Sequence, residues 1–246
     1  MITSPLLDAA AGAPPASPLS LCGGGEVILL APHPDDETLG CGLAIAALAE
    51  AGVAVRVVLV TDGSRSHPLS RRCPPARMAR LRALELRRAL RRLTGEAGPA
   101  PLLLGYPDTA APDDATARRD ACNRIAPLIG AQTGALWASW AGDPHCDHAS
   151  TARLAADLHA RHPQLARWSY PIWGRFDPAL PAPRPRDMAL VHAPRQAQRK
   201  RHALAAHASQ MTGLIGDDPT GFVMRAAHQR HFLDHPEIFI RETGHE

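Results

Sequence analysis

The chain has 246 residues and a net charge of +3, with 45% apolar and only 4% aromatic residues. This length suits one α/β domain whose core is built from Ala, Val, Leu and Ile. The mild basic charge favours an anionic partner only weakly, and no apolar run approaches the roughly 18 residues that a membrane span needs. We therefore expect a globular protein without an integral membrane segment.

Residues 1–24 are expected to form a flexible leader ahead of a single domain over 25–246. The leader is interrupted by prolines and lacks the basic start of a signal peptide. The five cysteines are scattered without a CxxC pair, which favours reduced thiols over a disulfide framework. Together these features predict a cytoplasmic protein.

Strand and helix patterns alternate after the leader. "EVILLAP" at 26–32 is a short apolar stretch typical of a buried strand, and "VAVRVVLVT" at 53–61 is a second, β-branched one. A helix of small side chains lies between them, and this β-α-β order indicates a right-handed crossover in a parallel sheet. The pattern predicts a three-layer α/β domain with a mostly parallel central sheet. The other predicted elements are helices at 76–93, 149–162 and 195–210, strands at 101–107 and 135–142, and two short strands in the proline-rich segment 163–193.

Two clusters of acids and histidines follow predicted strands, "APHPDDE" after the first and "AGDPHCDH" after the fourth. Ligands bind at the carboxyl ends of parallel strands, so both clusters are expected at one edge of the sheet. Zn²⁺ takes imidazole and carboxylate ligands and keeps one position open for water, and His33, Asp36 and His148 can supply such a set. Asp35 is then free to act as general base on a metal-activated water. His145 is expected to be the acid or the donor that stabilises the oxyanion.

Each cluster also has a purely structural interpretation. The three adjacent acids at 35–37 suit the positive end of a helix that begins near Thr38. In "HCDH", Asp147 could cap a helix while the histidines face solvent, and Cys146 could itself be a ligand. The position of both clusters at one sheet edge favours the metal site.

The motifs "PHPDDE" and "HCDH" resemble the zinc-dependent deacetylases of the LmbE-like superfamily, to which the PIG-L N-acetylglucosaminyl deacetylases belong. "GYPD" and the late "KRHALAAHASQMTG" extend the resemblance over about residues 26–240. The resemblance implies a Rossmann-like fold and removal of acetyl groups from N-acetylglucosamine-type sugars. It implies the same roles as the residue chemistry does. By this resemblance the zinc ligands are His33, Asp36 and His148, the base is Asp35, and His145 assists the tetrahedral intermediate. Iron, as Fe²⁺, could replace zinc in this ligand set.

Two further residues match substrate-binding positions of that superfamily. Arg82 lies beside the apolar stripe of the helix at 76–93, where it either pairs with Glu85 or reaches a sugar pocket. Asp108 of "GYPD" is either a second substrate residue or a turn former after Pro107.

The chain departs from the family before its HxxH segment, where Asp143 occupies the place of a mobile tyrosine found in some relatives. Oxyanion stabilisation then depends on His145 alone or also on His207. We otherwise expect His207 and Gln210 on the exposed face of an amphipathic helix.

The sequence as a whole predicts a zinc-dependent hydrolase that removes an N-acetyl or other N-acyl group from an amino-sugar conjugate. The arginines suit an anionic small-molecule substrate, and a homo-oligomer is compatible with the pattern. The alternative is a nucleic-acid or polyanion-binding module that uses the arginine-rich helix at 76–93. That helix lacks aromatic residues for base stacking, so no nucleic-acid partner is expected. Mg²⁺-dependent phosphoester hydrolysis is disfavoured because Mg²⁺ prefers oxygen ligands.

Overall fold

The computed structural model describes residues 3–96 and 98–242. An eight-stranded sheet runs through it in the order β1-β7-β8-β6-β5-β2-β3-β4. Only β8 is antiparallel to its neighbours, β6 and β7. The predicted mostly parallel α/β fold is thereby confirmed. The strands are β1 (Pro15–Ala16), β2 (Glu26–Ala31), β3 (Val55–Thr61), β4 (Leu102–Tyr106), β5 (Thr133–Ser139), β6 (Ala166–Tyr170), β7 (Met188–Val191) and β8 (Glu237–Arg241).

Helices cover both faces of the sheet. Side chains alternate between the two faces along each strand, so the apolar strands have buried residues on both faces. The helices are α1 (Pro5–Ala10), α2 (Pro18–Leu21), α3 (Asp36–Glu50), α4 (Pro75–Thr94), α5 (Ala115–Ile125), α6 (Cys146–Arg161), α7 (Ala197–Ala206), α8 (Ala208–Met211) and α9 (Ala226–Asp234). In β2, Val27 and Leu29 pack with α3, α4 and α7, whereas Ile28 and Leu30 pack with α5 and α6. None of the helices in the described chain is long and apolar enough to cross a membrane.

The segment before β2 differs from the flexible leader expected over 1–24. From residue 3 onward it forms α1, β1 and α2, and β1 pairs in parallel with β7. Leu6 is fully buried in a small core with residues of β7 and β8. Ser4 accepts from the backbone N–H of Leu7 and donates to the carbonyl of Arg175. Two of the segment's prolines, Pro5 and Pro18, stand at the first turns of its two helices, where no N–H donor is needed, and Pro15 lies in β1.

The C-terminal third contains more regular structure than expected. The predicted helix at 195–210 is interrupted at His207, which ends α7 and precedes the short α8. Two elements that the sequence pattern did not show follow it, α9 and β8. The helix α5 was also not predicted, because its Ala- and Arg-rich sequence has only a narrow apolar face.

A buried ion pair joins α7 and β8 to the middle of α3. Lys200 Nζ lies 2.7 Å from Glu237 Oε1 and donates to the carbonyl of Leu39 at 2.9 Å. The Glu237 carboxylate also accepts the backbone N–H groups of Leu43 and Ala44, at 2.6 and 2.9 Å. Elements from the end of the chain therefore contact the helix whose first turn carries the acid cluster.

Two glycines of α3 make this contact possible. A Cβ at position 42 would lie 3.0 Å from Lys200 Cγ, and one at position 40 would collide with the ring of Tyr170. The "GCG" sequence inside a helix thus reflects the close approach of two large side chains.

Candidate active site

A cavity of about 350 Å³ opens at the carboxyl edge of the sheet. It is lined by six of the seven predicted site residues, and His148 lies behind its wall, fully buried. Both sequence clusters therefore meet at one place, as the order of the strands requires, because β2 and β5 are neighbours. The apolar part of the lining comes from Leu39, Trp173, Phe222 and Met224.

The nitrogen and oxygen atoms of His33, Asp36 and His148 have the spacing of metal ligands. Asp36 Oδ2 lies 3.2 Å from His33 Nδ1 and 3.3 Å from His148 Nε2. Tetrahedral ligands with bonds of about 2.1 Å are about 3.4 Å apart, so both separations from Asp36 are close to ligand spacing. The three side chains whose nitrogens all lie within 4.8 Å of one another are His33, His145 and His148. His148 Nε2 is buried and has no hydrogen bond of good geometry within the described residues. A buried imidazole nitrogen without a well-aligned hydrogen-bond partner is what a metal ligand presents to an ion.

Two aspartates hold the outer nitrogens of these histidines. His148 Nδ1 lies 2.8 Å from Asp143 Oδ2, and His33 Nε2 lies 2.9 Å from Asp147 Oδ2. A carboxylate at the outer nitrogen keeps the proton there and leaves the inner nitrogen free for a metal. Sequence reasoning missed these roles, although Asp143 lies two residues before His145 and Asp147 directly precedes His148. Asp147 does not cap α6; His145 does, because its Nδ1 accepts from the Asp147 N–H.

The charges of the cluster are strongly coupled. Burial lowers the pKa of His148, but the carboxylates of Asp36 and Asp143 outweigh it and raise that pKa to about 9. The pKa of His33 is likewise raised, since its hydrogen bonds to three carboxyl groups outweigh the effect of burial. Burial acts to raise the pKa of Asp36, and the two histidines lower it well below its usual range. Without a metal, protons on the imidazoles balance the carboxylates, and a cation can replace them.

Asp35 occupies a strained position at the start of α3, with φ 142°. A non-glycine residue in this region costs about 1–3 kcal/mol and requires support from its surroundings. The support includes Glu37, whose Oε2 accepts the Asp35 N–H at 3.0 Å, and Arg82, whose Nη2 lies 3.3 Å from Asp35 Oδ2. Burial raises the pKa of Asp35 to about 7, although Arg82 acts to lower it. A carboxyl group with such a pKa can take and return a proton near neutrality.

Glu37 and His207 form a second buried contact behind this strained turn. His207 Nε2 lies 3.2 Å from Glu37 Oε1, and both side chains are fully buried. The expectation that His207 and Gln210 lie on an exposed helix face is therefore wrong. The break between α7 and α8 turns both of them inward, and Gln210 lines the cavity.

His145 lies at the cavity wall with its ring edge-on to that of His33, at a centroid distance of 4.6 Å. Burial and the neighbouring His33 and His148 lower its pKa. Because Nδ1 accepts a backbone N–H, the neutral ring carries its proton on Nε2. His145 could also share a metal with His33 and His148, since their nitrogens lie within 4.8 Å of one another.

Arg82 lines the cavity but also has structural partners. It donates to the carbonyls of Pro34 and Gly63 at 2.9 and 3.1 Å, and so links the acid cluster to the loop after β3. It does not pair with Glu85, which instead accepts from the backbone and hydroxyl of Ser209.

Asp108 connects the rim of the cavity to His33. Its Oδ2 accepts the backbone N–H of Arg65 at 3.2 Å, and its Oδ1 lies 3.5 Å from His33 Nε2. Burial acts to raise its pKa, but His33 outweighs this and lowers the pKa to about 2. It is therefore a permanent carboxylate at the cavity wall.

Fold and site together define an α/β protein with a candidate histidine–aspartate metal centre at the carboxyl edge of its sheet. The chain belongs to the PIG-L family: the family described as "PIG-L: GlcNAc-PI de-N-acetylase" matches residues 28–159. This span includes the histidine and aspartate clusters on both strands. No curated protein matches the chain, and none of these comparisons supports a nucleic-acid-binding module.

Solved structures of low identity share the fold. The conserved protein TT1542 from Thermus thermophilus is 22% identical with a TM-score of 0.63, over 89% of this chain and 95% of that one. The N,N'-diacetylchitobiose deacetylase from Pyrococcus horikoshii is 22% identical with a TM-score of 0.57, over 78% and 72%. The zinc-inhibited form of teicoplanin deacetylase Orf2 is 17% identical with a TM-score of 0.60, over 88% and 98%.

Proposed function

We propose that the protein is a metal-dependent N-deacetylase that hydrolyses the N-acetyl or other N-acyl group of an amino-sugar conjugate. The observation that carries the proposal is the geometry around Asp36 Oδ2, with one inward-facing nitrogen of His33 and of His148 on either side. The family, and the deacetylase names of the chitobiose and teicoplanin relatives, support this reaction class.

His33, Asp36 and His148 would hold the metal, which we propose to be Zn²⁺, with Fe²⁺ as the alternative. When bound, such an ion polarises the amide carbonyl and lowers the pKa of a water molecule. Asp143 and Asp147 keep the two imidazoles in the tautomer that leaves the inner nitrogens free.

Proton transfer is assigned to Asp35. Its carboxylate takes a proton from the attacking water and returns it to the departing nitrogen, so that water and amide become a carboxylic acid and an amine. Arg82 and Glu37 hold Asp35 in its strained conformation, so the base needs no reorganisation during the reaction. The Nε2–H of His145 donates to the carbonyl oxygen as negative charge develops there.

The substrate is placed by the remaining wall of the cavity. We propose that Asp108 accepts from a sugar hydroxyl and that Arg82 contributes to the same wall. Arg65 is exposed and lines the cavity, which supports a conjugate carrying phosphate or carboxylate. We further propose a cytoplasmic location, supported by five cysteines that are all free thiols.

The test is acetate release from N-acetylglucosamine conjugates by the purified protein, before and after chelation, with metal content measured on the same sample. Release that stops on chelation and returns with Zn²⁺ is expected. Asp35→Asn should abolish most of the release while the metal stays bound, and Asp120→Asn, at an exposed aspartate, is the matched control. An Asp35→Asn protein with full activity, or a wild-type protein without metal, would overturn the proposal.

A further inference from the structure

Gln210 presents an acceptor that nothing in the described protein satisfies. Its side chain is 1% exposed and lines the cavity. The amide nitrogen donates to the hydroxyls of Ser66 and Ser209, at 3.2 and 3.1 Å. The amide oxygen, Oε1, is buried and has no hydrogen-bond partner among the described residues.

The orientation of this amide is fixed by its neighbours. Ser209 Oγ donates to Glu85 Oε2 at 2.6 Å, so it can only accept from Gln210. If the amide nitrogen and oxygen were exchanged, two acceptors would face each other. The nitrogen therefore stays on the serine side, and the oxygen stays without a partner.

The backbone of Gln210 is equally constrained. Its N–H donates to the carbonyl of His207 at 3.0 Å, and its carbonyl accepts the N–H of Met224 at 2.8 Å. The side chain is therefore held in place before any ligand binds. Because Gln210 lines the cavity, a donor bound there within reach of Oε1 would satisfy the buried acceptor and remove the cost of leaving it unpaired.

We propose that Gln210 Oε1 accepts a hydrogen bond from a hydroxyl of the substrate's sugar ring. This rests on the proposed function, which it deepens by naming a specificity-determining residue. The neutral amide oxygen suits a neutral hydroxyl, whereas the reacting amide lies among the charged groups of the metal cluster. A site with a preformed acceptor discriminates against an analogue that lacks the matching hydroxyl, because the acceptor is then left unpaired.

The test combines substrate and protein changes. The substrates are methyl N-acetylglucosaminide and its 3-, 4- and 6-deoxy analogues. Gln210→Met and Gln210→Leu each remove the acceptor, and Gln196→Met changes a glutamine whose amide donates to Glu50 instead. Thermal unfolding identifies any variant that does not fold, and the Leu variant serves if the Met variant fails.

With the wild type and Gln196→Met, one deoxy analogue is expected to lose about 10- to 100-fold in kcat/KM. Gln210→Met and Gln210→Leu should hydrolyse that analogue and the parent with similar kcat/KM. If Gln210→Met lowers kcat/KM by the same factor on all four substrates, Gln210 has a structural role and the proposal is overturned.

A second measurement separates this proposal from the proposed function. Binding of the same four sugars to the metal-free protein, measured by calorimetry, requires no turnover. The dissociation constants are expected to show the same difference between the parent and one deoxy sugar, and the same loss of that difference when Gln210 is replaced. If no substrate is hydrolysed but the dissociation constants still show this Gln210-dependent difference, the deacetylase proposal fails and the role of Gln210 stands. If neither hydrolysis nor binding distinguishes the deoxy sugars, the role of Gln210 is refuted.

Discussion

Asp143→Asn is expected to weaken metal binding without removing a proposed ligand. Every group that contacts the Asp143 carboxylate is a donor. Oδ2 accepts from His148 Nδ1 and from the Ile172 N–H, both at 2.8 Å, and Oδ1 accepts from the Gly174 N–H at 2.6 Å. An asparagine must place its own NH₂ at one of these two positions, so a donor then faces a donor.

Either orientation of the new amide has a defined cost. With the NH₂ toward Gly174, one backbone N–H is left unpaired in the interior, at about 1–3 kcal/mol of folding stability. With the NH₂ toward His148, the ring must move its proton to Nε2, the atom that faces Asp36. Loss of such an outer partner typically lowers metal affinity by about 10- to 100-fold, or about 1.4–2.7 kcal/mol.

The assay is the Zn²⁺ dissociation constant, measured by competition with a chromophoric chelator, together with the urea midpoint of the metal-free protein. Asp120→Asn, at the exposed surface, serves again as the control. If Asp143→Asn folds stably and binds Zn²⁺ as tightly as the wild type, then the contact with His148 does not set the tautomer, and the role proposed for Asp143 is wrong.

Three further results are expected. Lys200→Met should lower the free energy of unfolding by about 3–5 kcal/mol, because it leaves the Glu237 carboxylate buried without its cation. Burial raises the pKa of Glu237, so the folded variant binds this proton more readily than the unfolded chain. Its urea midpoint should therefore fall less at pH 5 than at pH 8, and an equal loss would contradict this reasoning. Leu6→Ala should cost about 2–5 kcal/mol in the same assay, whereas an unchanged midpoint would mean that the first helix does not pack on the sheet. Zn²⁺ binding at pH 7 should release a proton from His148, since Asp36, against the effect of burial, helps to raise its pKa to about 9. Calorimetry in buffers of different ionisation enthalpy measures this release, and a buffer-independent binding enthalpy would argue against it.

The sequence predicted the parts of the site that depend on short motifs and on the rule that parallel strands end at the same edge of a sheet. "PHPDDE" and "HCDH" each follow a recognisable strand, and parallel strands bring their carboxyl ends to one edge. The placement of His33, Asp36 and His148 beside one another required nothing more. The pairing of β2 with β5 then made the two clusters neighbours.

The residues that support the site were not predictable in the same way. Asp143 and Asp147 act through the outer nitrogens of the histidines, and the path of the loops decides which carboxylate reaches which nitrogen. An exposed position for His207 follows from the helical periodicity only if one helix continues past residue 206, where α7 in fact ends. Packing of the first residues depends on the pairing of Pro15 with Leu190, a sequence separation over which local patterns carry no information.

Lys200 has a consequence for the chemistry of the whole protein, because it is the only lysine among the 27 lysine and arginine residues of the chain. Its side chain is 1% exposed, with its stem packed against Gly42. Amine-selective acylating reagents will therefore find no accessible lysine side chain on the folded protein. Acylation at position 200 should occur only when the junction of α3, α7 and β8 opens. The acylation rate, measured by mass spectrometry under native conditions, therefore reports how often this junction opens and releases the helix that carries the acid cluster.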